Sequence, residues 1–240
     1  MTMKKILFFL AACANLFSAI AQQPFVCSEP GTVLEYACYD KKGRLTGYRL
    51  STVESCERNV DGWLEVRTRE QELDIDRNPV VKKDGTGDMR SCTVIRADDM
   101  ILPLGDILAS CLPDPDLSVV QIEGNEYACP LTLSVGMDLP DLSAVYNVYN
   151  DGEPTKMNVQ FSVTDRKVLA YEKITVPVGT FDAYKVTETV SVKVLFIRVT
   201  RTAVTWRVPG VGDVRSEEST TKGKLESYME LVSIQRPTSE

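Results

Sequence analysis

Met157-Asn158-Val159-Gln160-Phe161-Ser162-Val163-Thr164 alternates apolar and polar residues without a break. A period of two places the apolar set on one face of a strand and the polar set on the other. The same pattern returns where Val186, Val190, Val192 and Val194 are interleaved with Thr187, Thr189, Ser191 and Lys193. Working outward, strands are expected at 32–39, 45–56, 63–73, 89–97, 117–123, 145–150, 167–176, 206–208, 211–218 and 225–234. Between them stand breakers: Lys42-Gly43, Asp61-Gly62, Asp84-Gly85, Asp151-Gly152, Pro209-Gly210 and Lys222-Gly223. Some ten strands at this spacing form a mainly β, antiparallel meander that must curl or close.

One segment departs from period two. Asp98-Asp99 is read as the start of a short helix running through Met100, Ile101, Leu104, Ile107 and Leu108 toward Cys111. Pro103 confines its regular part to the later turns. Those five apolar residues are the candidate lining of an apolar groove, the helix lying on the sheet. Pro113, Pro115 and Pro130 mark 98–131 as the least regular stretch. No linker or composition shift divides the remainder, so 22–240 is read as a single domain.

Residues 1–21 read as an export signal. Lys4 and Lys5 form a positive start, apolar runs follow at 6–12 and 16–21, and Ala19-Ile20-Ala21 offers a cleavage site before Gln22. The alternative is Leu10-Ala11-Ala12-Cys13, a lipobox-like stretch that would attach acyl chains to Cys13 and anchor the domain. Both readings place the protein in the periplasm or outer envelope. No later stretch approaches the roughly 20 apolar residues of a membrane-spanning helix.

The net charge of −7 becomes about −9 when Lys4 and Lys5 leave with the signal. Such an acidic chain is a poor partner for nucleic acid. Nor does its overall charge suit a peripheral grip on anionic membranes, so membrane contact is expected only through a lipidated Cys13. The chain has no histidine. That removes Ser-His-Asp and Cys-His nucleophile arrangements, His-rich zinc sites and the usual pH switch. No catalytic, cofactor-binding or metal-binding residue is assigned, and no cofactor is expected.

Cys27, Cys38, Cys56, Cys92, Cys111 and Cys129 remain after the signal, an even number in an exported chain. They are read as candidates for up to three disulfides stapling the first half of the domain. A hairpin turning near Lys42-Gly43 would bring Cys27 roughly opposite Cys56, a bridge worth about 3 kcal/mol on the chain-entropy account.

Three tempting constellations are set aside. Asp74-x-Asp76-x-Asn78 opens like a calcium loop, but Pro79 stands where glycine is required and Gly85 where glutamate is. Pro209-Gly210-Val211-Gly212 is followed by a strand pattern, whereas a phosphate loop needs a helix. Trp63 and Trp206 sit at strand positions and are expected in the core, not as sugar-stacking platforms.

Several stretches together resemble a family. Gly31-Thr32-Val33-Leu34-Glu35-Tyr36 and Tyr39-Asp40-Lys41-Lys42-Gly43-Arg44-Leu45 are similar to the opening strand and turn of the TapB-like family, a bacterial exported domain of unknown function. Val176-Pro177-Val178-Gly179-Thr180-Phe181, continuing to Tyr184-Lys185-Val186, resembles its central strand pair. Trp206, Gly210-Val211-Gly212 and Val214-Arg215-Ser216-Glu217 match a further stretch, and Glu230-Leu231 with Ile234 the closing strand. The region from Cys92 to Cys129 departs from the pattern. The resemblance implies a curved sheet or half-barrel with a helix against its concave side, similar to periplasmic lipoprotein carriers, and no established activity.

The functional expectation is therefore an exported, non-catalytic envelope binding module for a lipid, acyl chain or other hydrophobic small molecule. The alternatives are a structural or assembly protein meeting another envelope protein, and a hydrolase working through paired carboxylates.

Overall fold

The computed structural model describes residues 23–81, 88–106, 120–150 and 153–238. They form one antiparallel sheet of thirteen strands, more than the ten or so the alternation suggests. The strands are β1 (Val33–Asp40), β2 (Leu45–Arg58), β3 (Leu64–Leu73), β4 (Asp88–Ile95) and β5 (Asp99–Leu102). Next come β6 (Val120–Gly124), β7 (Tyr127–Pro130), β8 (Leu142–Asn150), β9 (Glu153–Val176) and β10 (Gly179–Val194). The last are β11 (Ile197–Val208), β12 (Gly212–Ser219) and β13 (Leu225–Gln235).

The order across the sheet is β6-β8-β9-β10-β11-β12-β13-β1-β2-β3-β4-β5-β7. Two meanders are thus joined where β1 pairs with β13, Val33 opposite Gln235 and Asp40 opposite Ser227. The outermost strands, β6 and β7, are consecutive in the chain, separated by Asn125 and Glu126 alone. A sheet whose far edges are two residues apart must curl on itself, and the fold is the expected curved, open antiparallel sheet. Gly124 makes the crossing possible: it has a φ of 155°, and a side chain there would collide with the Ser143 carbonyl. Asn125 fixes the corner by donating from Nδ2 to the Asp141 carbonyl and accepting from the Ser143 amide.

β9 explains why the alternation was read as two strands. Its pairing with β10 shifts register between Thr187 and Thr189 and again between Lys185 and Val186. At the first shift Asp165 has a φ of 53°, and Asp165 and Arg166 together oppose Glu188. This is a bulge, which bends a strand and re-aims its side chains while pairing continues on both sides. Arg166 is consequently turned inward.

The segment from Asp98 does not begin a helix. Asp99–Leu102 is β5, with Ile101 paired to Val94 on one side and Ala128 on the other. Leu102 precedes Pro103, and a residue before proline is driven toward extended backbone. Helix starts at 104–106, after the proline, where the Asp106 amide donates to the Pro103 carbonyl. Ile107, Leu108 and Cys111 lie outside the described residues.

The disulfide expectation fails for the five described cysteines. Cys27, Cys38, Cys56, Cys92 and Cys129 are all free thiols. The turn at Glu29-Pro30-Gly31, closed by the Thr32 amide on the Glu29 carbonyl, ends the β1–β2 ladder before it reaches Cys27. Cys27 is instead buried among Leu34, Val53, Val66 and Leu231, and Cys56 sits opposite Val66 on β3. Trp206 is buried as expected, but Trp63 is not a core residue. It stands before β3 at 40% exposure, with the Arg96 guanidinium 5.6 Å from its ring centre.

Candidate functional site

The concave side of the sheet holds a half-open cavity of about 520 Å³. One part of its wall is apolar, with Leu34, Val53, Phe161, Val163 and Val190 contributed by strands from both meanders. Of the five residues proposed as a groove lining, Met100 and Ile101 face this cavity. Leu104 packs instead against the cluster of Leu142, Ala144, Tyr146 and Phe161.

The other part of the wall is polar and was not anticipated. Arg207 on β11 is 5% exposed and donates from Nε to Asp213 Oδ1 at 3.1 Å, its cross-strand partner on β12. Its Nη2 donates to the Tyr127 hydroxyl at 3.2 Å and its Nη1 to the Cys129 sulfur at 3.5 Å. The Tyr127 hydroxyl in turn donates to Glu188 Oε2 at 2.9 Å. Glu188 is paired with Arg166 Nε at 3.4 Å. Arg166 has a wholly buried side chain, donates through Nη1 to the carbonyls of Ala128 and Pro140, and lies 4.1 Å over the Tyr127 ring. Arg166 and Arg207 thus reach from the long strands to the short edge strand β7 and hold it inside the curl. A buried charge is tolerated only when paired and hydrogen-bonded. Arg207 meets both conditions, whereas Arg166 is paired with Glu188 but leaves Nε and Nη2 without a hydrogen-bond partner among the described residues.

Burial dominates the electrostatics. It pushes the Asp213 carboxyl above the usual aspartate range, with Glu188 adding to the effect and Arg207 opposing it. It raises the Tyr127 phenol against the pull of Arg207, and the Tyr36 phenol also rises, with Asp213 and Glu70 contributing. Glu70, on the far wall, is raised by burial despite Arg49 nearby. Burial works against the charge of Arg207, but Tyr127, Asp213, Cys129 and Glu188 outweigh it and hold the guanidinium protonated.

Four carboxylates (Glu70, Glu188, Asp213 and Glu218) face the cavity, against the guanidinium groups of Arg49 and Arg207. The Thr205 hydroxyl, also on the wall, has no hydrogen-bond partner among the described residues. Among those residues no cluster of Cys, Asp and Glu is arranged to hold a metal ion. Asp74, at the head of the calcium-like spacing, spends its carboxylate on the amides of Asp76 and Asn78. Sequence reasoning missed the polar cluster because Arg166, Arg207, Tyr127 and Glu188 are scattered over eighty residues. The one local hint was an arginine at an otherwise apolar strand position, in Trp206-Arg207-Val208.

Fold and cavity together define a class: curled antiparallel-sheet proteins with a ligand-sized hollow between two meanders. The chain belongs to the DUF3108-like family, whose model matches residues 110–231. The match covers β6 through most of β13, while the opening stretch from Gly31 to Leu45 that resembles the TapB-like pattern lies outside it.

Two crystal structures share the fold. One is from Bacteroides fragilis, inferred to be an exported protein and described as having a YmcC-like fold. It is 19% identical, with a TM-score of 0.66, over 89% of this chain and 100% of the other. The second is inferred to be a lipoprotein of Parabacteroides distasonis. It is 21% identical, with a TM-score of 0.67, over 89% and 99% of the two chains. No curated protein matches the chain.

Proposed function

We propose that this protein is an exported, non-catalytic module of the bacterial envelope that holds one small amphipathic molecule in its cavity. The leader-like 1–21 segment supports the location, and the descriptions of the two structural neighbours agree with it. The TapB-like resemblance is the finer family reading and points the same way.

The observation that carries the ligand is the mixed lining of the 520 Å³ cavity, in which Leu34, Val53, Phe161, Val163 and Val190 stand together with Arg207, Asp213, Glu188 and Thr205. A volume of several hundred Å³ with a few convergent polar groups is typical of small-molecule sites. The apolar wall accepts an acyl or other hydrocarbon portion. The polar wall has more acceptors than donors and suits a head group bearing hydroxyl or amine hydrogens. Its carboxylates are engaged by Tyr127, Arg166 and Arg207, which fits a binding role better than proton transfer.

Native mass spectrometry of the protein taken from envelope fractions without delipidation tests this reading. A releasable component of lipid-like mass, lost in a Val190→Trp variant that fills the apolar wall, is the expected result. A bare protein mass from the same preparation rejects it, and N-terminal acylation at Cys13 would be visible in the same spectrum.

A further inference from the structure

The hairpin between β10 and β11 turns through Leu195 and Phe196, with Val194 opposite Ile197. Two-residue hairpin turns select glycine, asparagine or aspartate, because a central residue must adopt positive φ. Here Leu195 does so, at 53°, a conformation in which a bulky side chain is a genuine outlier. The turns at Lys42-Gly43, Asp61-Gly62 and Lys222-Gly223 use the ordinary chemistry. At the β10–β11 tip the fold gains nothing from Leu-Phe. Yet Leu195, Phe196, Ile197 and Val199 are 48%, 88%, 61% and 47% exposed. Four large apolar residues in five positions form a projecting knob.

A second observation lies directly behind it. Register places Ser143, Ser162, Ser191 and Thr200 in one row across β8–β11, and Val145, Gln160, Lys193 and Arg198 in the next. Residues of these rows, Lys193, Arg198 and the three serines among them, line a half-open hollow of about 240 Å³. Arg198 Nη1 reaches Ser191 Oγ at 3.5 Å, and among the described residues neither Arg198 nor Lys193 has a carboxylate partner. What sets this place apart is the combination: two cations without carboxylate partners stand directly beside an exposed apolar tip.

We propose that this hairpin is a membrane-docking element: Leu195, Phe196 and Ile197 enter the interface while Lys193 and Arg198 receive an anionic phospholipid head group. Apolar insertion combined with basic flanks is the physical recipe for reversible interfacial binding. The acidic balance of the whole chain does not prevent it, because charge acts at the surface over about 10 Å in ordinary salt. The element is independent of the cavity and stands whether or not that site holds a ligand.

The test is sedimentation with vesicles, using the chain from Gln22 onward so that neither an acyl chain on Cys13 nor the apolar leader contributes. Vesicles of phosphatidylcholine mixed with phosphatidylglycerol are compared with pure phosphatidylcholine. Binding to the anionic vesicles is expected to be about tenfold stronger and to weaken with salt. Leu195→Ser with Phe196→Ser lowers it about tenfold, and Lys193→Ala with Arg198→Ala abolishes the preference for phosphatidylglycerol. A tryptophan at 196 shifts its emission to the blue only with anionic vesicles. Equal binding by wild type and both variants overturns the proposal. So does a tip-dependent dimer, seen by light scattering, in place of vesicle binding. Unchanged thermal unfolding of the variants excludes misfolding as the cause.

Discussion

The β9–β10 hairpin and the β5–β7 edge are held in place by different forces. β9 and β10 run for 24 and 16 residues, and their inner face supplies Val159, Phe161, Val163, Val168 and Val186, all buried. Alternation alone keeps such a pair in register, since a one-residue slip would expose the whole apolar set. β5 and β7 have four residues each and bury little of their own. β7 is fixed from across the cavity, by Arg166 on the Ala128 carbonyl and Arg207 on Tyr127 and Cys129, and β5 is paired to it. Long strands secure themselves, whereas short strands depend on side chains lent by others.

Arg166→Met should break this contrast most severely. It takes the buried cation from beside Glu188 and the donor from two carbonyls, and removing one partner of a buried pair costs about 3–5 kcal/mol. Chemical denaturation measures the loss, and amide exchange should show β7 losing protection while β9 and β10 retain theirs. Uniform loss across the sheet would show that the edge is not separately anchored. Leu142→Ala provides the counterpart in the long-strand core. This fully buried side chain packs with Tyr146, Phe161 and Val163, so truncation costs about 2–5 kcal/mol and should lower protection throughout.

Tyr127→Phe sharpens the comparison by deleting only the hydroxyl between Glu188 and Arg207, at a cost of about 1–3 kcal/mol in thermal or denaturant unfolding. Arg96→Ala, which removes half-exposed pairs with Asp99 and Glu126, should cost only about 0.2–1 kcal/mol. The smallest effect is in pH. Asp213 and Glu70 have raised native pKa values, so in acid the folded state binds more protons than the unfolded chain. Their contribution therefore falls as pH rises from about 4 through those raised values. Asp40 behaves in the opposite sense: hydrogen bonds from Arg44 hold it at about 2, and its contribution is lost as pH falls through that value. Comparing unfolding midpoints of wild type and Asp213→Asn across acid pH isolates the first trend, because the variant should lack part of the decline.

Much of this sheet was legible in the sequence because period-two alternation reports burial directly, as in 157–164. It failed where burial is not one-sided. Residues 197–205 carry Arg198, Arg201 and three threonines, and no face stands out, so the first three-quarters of β11 escaped notice. β5 and β7 are too short to show a period. The cysteines misled because their even number in an exported chain suggested staples, whereas Cys27 and Cys129 fill the core as small apolar residues. Of the site, the apolar residues 100–101 were visible, but the Arg–Tyr–Glu–Asp network depends on a bulge at Asp165 and on pairs distant in the chain, which no local pattern records.

The pairing of β1 with β13 has a consequence for how the protein is made. Within each meander a strand pairs with the next or the next but one in the chain, but β1 must wait for a partner almost two hundred residues downstream. A chain delivered amino end first, from a ribosome or a translocation pore, can assemble its first wing early yet holds one side of β1 unpaired until Leu225–Gln235 has emerged. During that interval a bare strand edge is open to any other chain. The final eleven-residue strand therefore acts as a clasp, and cutting the chain before Leu225 should leave a species that aggregates through β1.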